Sequence, residues 1–465
     1  MNYRTNLLSE AKLNLGFLCS ILLAGLPVYQ AHAQSMAGPT AHSPYTVSVF
    51  APPPAGLTNP DSITEAGGDI FVTYANDSQP DGTNGPSIVV QYTLDGKIVR
   101  TYSIAGKNDG LKYNPYTGKI WALRNEDANP ALTIIDPKTG ATTDYTYAQE
   151  PAHGGGYDDV VFIYGQTFIS ASNPTLQPAT VSTPNGQNIY PSVVKARIVG
   201  RLIYVTPVLY GNASLTDIAT GSTVIAQQSD PDSFKVDASG DLVLDSQADG
   251  DLIFINSPDS PNQVGLRLHL SNDTANQITV DDTVFPTAPG GTIFVVDTAA
   301  DIVYAVKSNA YQPGGAYSAS DSDGILGKVD LSTGLVTPIV SGMQSPHGAL
   351  FFPAIPQVTI HRDNDLTLQN ESSNVGFVVT RVEDLSKAIT VNYSVQALAS
   401  EQNEGRSFAG KVTIPAGSSS AEFSVPLRSI WEKDVTKSVS VTLDPGNEYN
   451  IARPAEATVR LTDQF

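Results

Sequence analysis

Hydrophobic and polar positions alternate along this chain in short runs, and the runs recur. Each copy has a polar acidic start, a short apolar strand, a glycine turn and a second apolar strand. Asp61-Ser-Ile leads to Gly68-Asp-Ile-Phe-Val, and Asp109-Gly-Leu leads to Gly118-Lys-Ile-Trp-Ala. Tyr157-Asp-Asp-Val precedes Gly165-Gln-Thr-Phe-Ile, and Asp232-Ser-Phe precedes Gly240-Asp-Leu-Val-Leu. A fifth copy joins Asp281-Asp-Thr-Val to Gly291-Thr-Ile-Phe-Val, and a truncated sixth is His347-Gly-Ala-Leu-Phe-Phe. Most copies run on into further strands that end in turns such as TLDGK (93–97), DPKTG (136–140) and DLSTG (330–334). The glycines of those turns supply the positive φ that tight hairpins need.

Four short strands per unit, repeated at about fifty residues, is the pattern of a propeller blade. The starts are 48, 49, 74, 49 and 66 residues apart, so two units carry insertions, read as 173–192 and 309–324. No helical periodicity interrupts the strands, which argues against an α/β fold. The lone alternating strand Tyr45–Phe50 is expected to complete the truncated last blade and close a ring of about six blades; five or seven remain open counts.

From Gln357 the strands lengthen: VTIHR (358–362), VGFVVTR (375–381), AITVNYSV (388–395), GKVTIPAG (410–417), AEFSVPL (421–427), SVSVTL (438–443) and ATVRLTD (457–463). Seven alternating strands in this span read as an immunoglobulin-like β-sandwich. The expected class is therefore all-β, with a β-propeller over 45–355 followed by a β-sandwich over 356–465.

The N-terminus changes the compartment. Arg4 and Lys12 precede an apolar run from Leu13 to Leu26, which ends at Ala31-His32-Ala33. That is the layout of a signal peptide over 1–33, and the run is short for a membrane span. The only cysteine, Cys19, lies inside this run, with bulky residues before it rather than the small ones a lipidation site needs. The mature chain then has no disulfide, thiol or cysteine–zinc chemistry. The expected location is secreted: periplasm, cell surface or medium.

Charge narrows the partners. The formal net charge is −20, and removing 1–33 with Arg4, Lys12 and Glu10 makes it −21. No basic patch offsets this, so nucleic acid is excluded as a partner. An unknown ligand, polymer or protein at the propeller face is expected instead, with no transmembrane anchor.

The repeat starts Asn59-Pro-Asp-Ser-Ile, Asp230-Pro-Asp-Ser-Phe and Ser345-Pro-His-Gly-Ala resemble those of NHL-repeat and gluconolactonase-like propellers. In register, Asp61, Asp109, Asp159, Asp232, Asp282 and His347 would ring one mouth of the central channel. The resemblance implies a divalent cation there, calcium among the candidates, acting as a Lewis acid on a carbonyl. Streptogramin-lyase-like propellers add a histidine base, a role that His347 would take. His153, before Gly154-Gly-Gly156, is a second candidate acid/base. The competing reading makes each aspartate a turn cap bonded to nearby backbone.

The C-terminal region resembles a Calx-β domain through Gly376-Phe-Val-Val-Thr-Arg381, Val412-Thr-Ile-Pro-Ala-Gly417 and Ala457-Thr-Val-Arg-Leu-Thr-Asp463. That resemblance implies calcium ligands at Glu371 and Asp463, with Asp434 nearby. Ile430, Trp431 and Ser407-Phe408 stand where the family carries further acids and an Asp-Tyr pair. Asp245-Ser-Gln-Ala-Asp-Gly-Asp251 looks like a calcium loop but lacks the final glutamate, so it reads as a hairpin turn. Gly-x-Ser-x-Gly, His-Glu-x-x-His and phosphate-binding glycine loops are absent. Two functions follow: a secreted binding or adhesion-type propeller, or a metal-dependent lactonase or lyase acting in the channel. Three or four acid, amide or histidine side chains converging on one point would favour the second.

Overall fold

The computed structural model describes residues 38–362, 374–382, 385, 387–398, 405–426, 438–446 and 448–460. Residues 1–33, expected as a signal peptide, and Glu371, Asp434 and Asp463 lie outside them. The described residues form strands and turns without helices, and none of their elements is a helix long and apolar enough to cross a membrane.

Six units, each with four strands at its core, lie within residues 40–353, and Ser214–Asp217 and Thr223–Ile225 add two outer strands to the fourth. Blade 1 comprises Pro60–Ala66, Asp69–Tyr74, Ser87–Tyr92 and Ile98–Ile104. Blade 2 comprises Asn108–Asn114, Lys119–Arg124, Ala131–Ile135 and Thr142–Tyr147. Blade 3 comprises Val160–Ile163, Gln166–Ser170, Pro191–Val199 and Leu202–Tyr210. Blade 4 comprises Pro231–Val236, Leu242–Ser246, Asp251–Asn256 and Val264–His269. The first strand of each blade packs on the first strand of the next, and that of the last blade, Pro346–Pro353, packs on Pro60–Ala66, so the ring is closed.

The sequence of each strand follows its place in the blade. Second strands such as DIFVTY carry consecutive apolar residues because both faces are covered by neighbouring blades, and all but the first of its residues are buried. Fourth strands face solvent on one side, and TTDYTY alternates exposed and half-buried positions accordingly. Six apolar clusters fill the six gaps between blades, such as Phe71, Tyr102, Leu111 and Ile120 between blades 1 and 2. The DPKTG turn is held as its residue types demand: Asp136 Oδ1 accepts from Lys138 N–H at 3.0 Å and Thr139 N–H at 3.3 Å.

Blades 5 and 6 depart from the expected repeat. The first strand of blade 5, Asp282–Val284, pairs with Ala316–Ser320, not with Gly291–Asp297. Gly291–Asp297 pairs instead with Pro346–Pro353 and, through Ile302–Ser308, builds blade 6. The chain therefore leaves blade 5 after one strand, makes two strands of blade 6, and returns through Ile325–Val329 and Val336–Ser341. The connection Phe285–Gly290 contains Pro286 and Pro289 and is too long for the tight hairpin found in the other repeats. The stretch 309–324 is thus not a simple insertion, since Ala316–Ser320 is a strand. The ring is closed twice: Thr46–Ala51 is the outer strand of blade 6, and Thr40–Ala41 extends blade 5. The propeller sheets begin at Thr40 rather than Tyr45.

Residues 357–460 form two further sheets of four strands each. Val358, Ile360, Phe377, Val391, Val395 and Val441 make one core between them. These sheets pack on the propeller face where the first strands end: His361 meets the Tyr116 ring at 5.6 Å, and Arg453 donates to the Ser239 carbonyl at 3.2 Å. The other face, where the first strands begin, carries the candidate site.

Candidate functional site

The starts of the first strands converge because two glycines let neighbouring backbones touch. Gly110 N–H donates to the Asp158 carbonyl at 3.0 Å, and a Cβ on Gly110 would lie 2.1 Å from that oxygen. A Cβ on Gly348 would lie 2.4 Å from the Asp61 carbonyl. Any other residue at either place would push the inner strands apart and widen the channel.

The resulting mouth is a cavity of roughly 150 Å³ lined by eight carboxylates: Asp61, Asp109, Glu126, Asp127, Asp158, Asp230, Asp232 and Asp281. Lys107 and His347 are its only cationic side chains. Of the expected ring, Asp61, Asp109, Asp232 and His347 are here. Asp159 and Asp282 are not. In the doublets Asp158-Asp159 and Asp281-Asp282 the first residue faces the cavity, and strand alternation turns the second away.

Those second residues serve a layer of ion pairs beneath the mouth. Asp159 Oδ2 lies 2.9 Å from Lys112 Nζ and accepts from Phe234 N–H at 3.0 Å. Asp282 lies 2.6 Å from Lys235 Nζ and accepts from Ala349 N–H at 2.8 Å. These contacts cross from one blade to the next, so Asp159 and Asp282 are structural ties rather than cation ligands. His153 is also displaced from the expected role. It is buried, its Nε2 lies 2.7 Å from the Gly156 carbonyl, and burial lowers its pKa. It does not line the mouth.

Lys107 Nζ stands 2.7 Å from Asp109, 2.7 Å from Glu126 and 3.7 Å from Asp61. Burial opposes ionisation of Asp61, but Lys107 and His347 outweigh it and hold the carboxyl down at about 2. Asp109 is pushed up to about 6 by burial and by the Asp61 charge, against the pull of Lys107. Burial, followed by the charges of Asp109 and Asp159, carries Asp158 well above the usual carboxylate range, and burial with the charges of Asp158 and Asp281 does the same for Asp232. His347 Nδ1 lies 3.3 Å from Asp61 and 3.2 Å from Asp281, and Ser345 Oγ lies 3.2 Å from its Nε2. Burial alone would neutralise this imidazole; Asp281 and Asp61 reverse that and raise it to about 10, so it is an acid at neutral pH.

Asp109, Glu126 and Asp158 each offer an oxygen, and the three oxygens lie within 4.8 Å of one another. Glu126 Oε2 is buried and finds no hydrogen-bond partner among the described residues. An all-oxygen donor set with an unpartnered carboxylate oxygen fits a hard divalent cation, and Lys107 is the internal cation that shares the same acids.

Sequence reasoning missed Lys107, Glu126, Asp127, Asp158, Asp230 and Asp281. The second strands end at the same mouth, so the polar runs after them were the available signal: Glu126-Asp127 and Ser172-Asn173 both line the cavity. The Asp245–Asp251 segment is a hairpin turn, with Asp249 accepting from Ser229 N–H at 2.7 Å and Ser246 Oγ at 2.7 Å.

No family model matches this sequence, and no curated protein does. Among solved structures, a streptogramin B lyase aligns at 10% identity over 82% of this chain and 98% of its own, with a TM-score of 0.36. The virginiamycin B lyase of Staphylococcus aureus aligns at 10% identity over 81% and 98%, with a TM-score of 0.35. A putative gluconolactonase aligns at 9% identity over 74% and 90%, with a TM-score of 0.38. Identities this low say nothing about chemistry.

Proposed function

We propose that the channel mouth binds a divalent cation, calcium or magnesium by the hardness of its ligands, and acts there as a lactonase or lyase on a small oxygen-bearing substrate. The observation that carries this reading is the convergence of Asp109, Glu126 and Asp158 within 4.8 Å, beside a charged histidine on the same mouth. When bound, such a cation polarises a carbonyl as a Lewis acid. The chain's own residues supply the rest. His347, kept protonated by Asp61 and Asp281, donates a proton to a leaving oxygen. Asp232, whose carboxyl is raised by burial and by the acids around it, holds a further proton at the same wall. Lys107 offsets part of the negative charge and keeps Asp61 and Asp109 in place.

At roughly 150 Å³ the cavity is smaller than sites that enclose a whole small molecule, about 300–1,000 Å³. It therefore suits a cation with the reacting end of a ligand, the remainder lying outside the mouth. With this reading go export through a signal segment at 1–33, a propeller from Thr40 to about 355 and a Calx-β-like sandwich over 356–465 as a spacer or attachment module.

The test is thermal unfolding in EDTA and then in calcium, magnesium or manganese, with metal analysis and a lactone panel on the same sample. A ligand of the native state raises the melting temperature, and Glu126→Gln and Asp158→Asn should abolish the rise. No bound metal and no shift would overturn the cation site. A shift without turnover would return the chain to a cation-dependent binding or adhesion role.

A further inference from the structure

We propose that the cleft between blades 2 and 3 is a second ligand site, separate from the acidic mouth, that takes a neutral sugar ring or short oligosaccharide. These two blades are joined along their outer edges. Thr146 and Tyr147 pair in parallel with Leu202 and Ile203, so blades 2 and 3 form one eight-stranded sheet folded back on itself. The faces flank an open cleft of roughly 600 Å³ near the turns Asn114–Lys119 and Ile163–Gln166, remote from the mouth. That is the size range of small-molecule sites and far exceeds a packing gap.

The lining gives the ligand its chemistry. Trp121, Tyr145 and Phe162 supply aromatic surface, and Trp121 is fixed by Phe162 across the blade boundary, with ring centroids 5.1 Å apart at 76°. Arg201 stacks over the Tyr145 ring at 5.3 Å and fixes that ring in turn. Gln166 lines the cleft, and its Oε1 is buried with no hydrogen-bond partner among the described residues. An unpartnered buried acceptor beside aromatic surface calls for a ligand with a hydroxyl donor and an apolar face, which a pyranose combines. Of the charged lining residues, Lys119 pairs with Asp136 at 2.6 Å, and Arg197 lies over the Tyr204 ring at 5.0 Å. Arg197 keeps guanidinium donors for ligand hydroxyls, and the chain's net charge of −20 disfavours an anion, so a neutral polyhydroxy ligand fits best.

The chain contains a direct reporter, because Trp121 and Trp431 are its two tryptophans. In the Trp431→Phe protein, Trp121 emission is titrated with neutral gluco-, xylo-, manno- and chito-oligosaccharides, and calorimetry on the unsubstituted protein repeats any positive. A saturable change with at least one sugar is expected. It should weaken about tenfold or more in Gln166→Ala, as a lost hydrogen bond to a buried acceptor requires, and also in Tyr145→Ala, with unfolding temperatures retained. No saturable response in either assay, an equal response in both variants, or binding only of an apolar dye would overturn the proposal. The readout needs no metal, so it is independent of the mouth: EDTA should leave it unchanged.

Discussion

His347 Nδ1 stands 3.3 Å from the carboxylate of Asp61, and this contact joins the last inner strand of the propeller to the first. The pair is both a seam in the ring and part of the proposed proton donor. Its energetics have a definite sign. The folded protein raises His347 from 6.5 to about 10, so its contribution is complete below pH 6.5 and is lost as pH rises through about 10. His347→Gln should therefore lower stability at pH 6 by up to roughly 5 kcal/mol, and the difference should shrink toward pH 10. Chemical denaturation of both proteins across that range reads it directly. A deficit independent of pH would mean that the ring shape, not the charge, is what matters at this position.

Lys107 is the cation around which Asp61, Asp109 and Glu126 are arranged. Removing one partner from a buried charged group costs about 3–5 kcal/mol because the others are left uncompensated. Lys107→Met should unfold at markedly lower temperature in EDTA and recover most of the loss in calcium or manganese. Recovery no larger than the wild-type response would mean that the three acids do not share a cation.

Cation affinity should fall in acid, since carboxylate ligands must be deprotonated to bind. Asp109 is raised to about 6, so the cation-dependent rise in melting temperature should be larger at pH 8 than at pH 5. Equal shifts at both pH values would point to a site elsewhere.

Glu65 offers a test away from the mouth. Burial, against a 2.6 Å hydrogen bond from Gly68 N–H, raises its carboxyl from 4.5 to about 7. The folded state then holds a proton that the unfolded state releases, so its contribution to stability declines between pH 4.5 and 7 and stays low above that. Glu65→Gln keeps an acceptor for Gly68 and removes the titration. It should gain up to roughly 3 kcal/mol relative to wild type on going from pH 4 to pH 8, measured by denaturant melts.

Two short N-terminal strands hold the ring shut. Deleting residues 38–51 removes the outer strand of blade 6 and the added strand of blade 5 and leaves their edges unpaired. Lower melting temperature and concentration-dependent association on a sizing column are expected, because open edges pair with other chains. An unchanged monomer of unchanged stability would show that the inner strands close the ring without help.

The blade repeat was legible because a strand covered on both faces carries consecutive apolar residues, whereas one exposed on a face alternates. DIFVTY and TTDYTY carry that difference in their composition. Turn aspartates and glycines marked the hairpins for an equally local reason. The exchange between blades 5 and 6 was not legible. Gly291–Asp297 has the same pattern whether it pairs with Asp282–Val284 or with Pro346–Pro353, and only Phe285–Gly290, with its two prolines, hinted against the nearer partner.

The site divides along the same line. The residue types and repeat positions of Asp61, Asp109, Asp232 and His347 sufficed to place acids and a histidine at one end of the inner strands. Which member of Asp158-Asp159 or Asp281-Asp282 faces the cavity depends on local twist and bulges, because a shift of one residue reverses a side chain's direction. The arrival of Lys107 and Glu126 among those acids depends on strands that lie apart in sequence until the blades assemble. Local pattern, set by each residue's own burial and turn chemistry, determined the kind of fold and the kind of residue at its mouth. Tertiary packing alone decided the partners, since convergence in space is a property of the closed ring and of no segment within it.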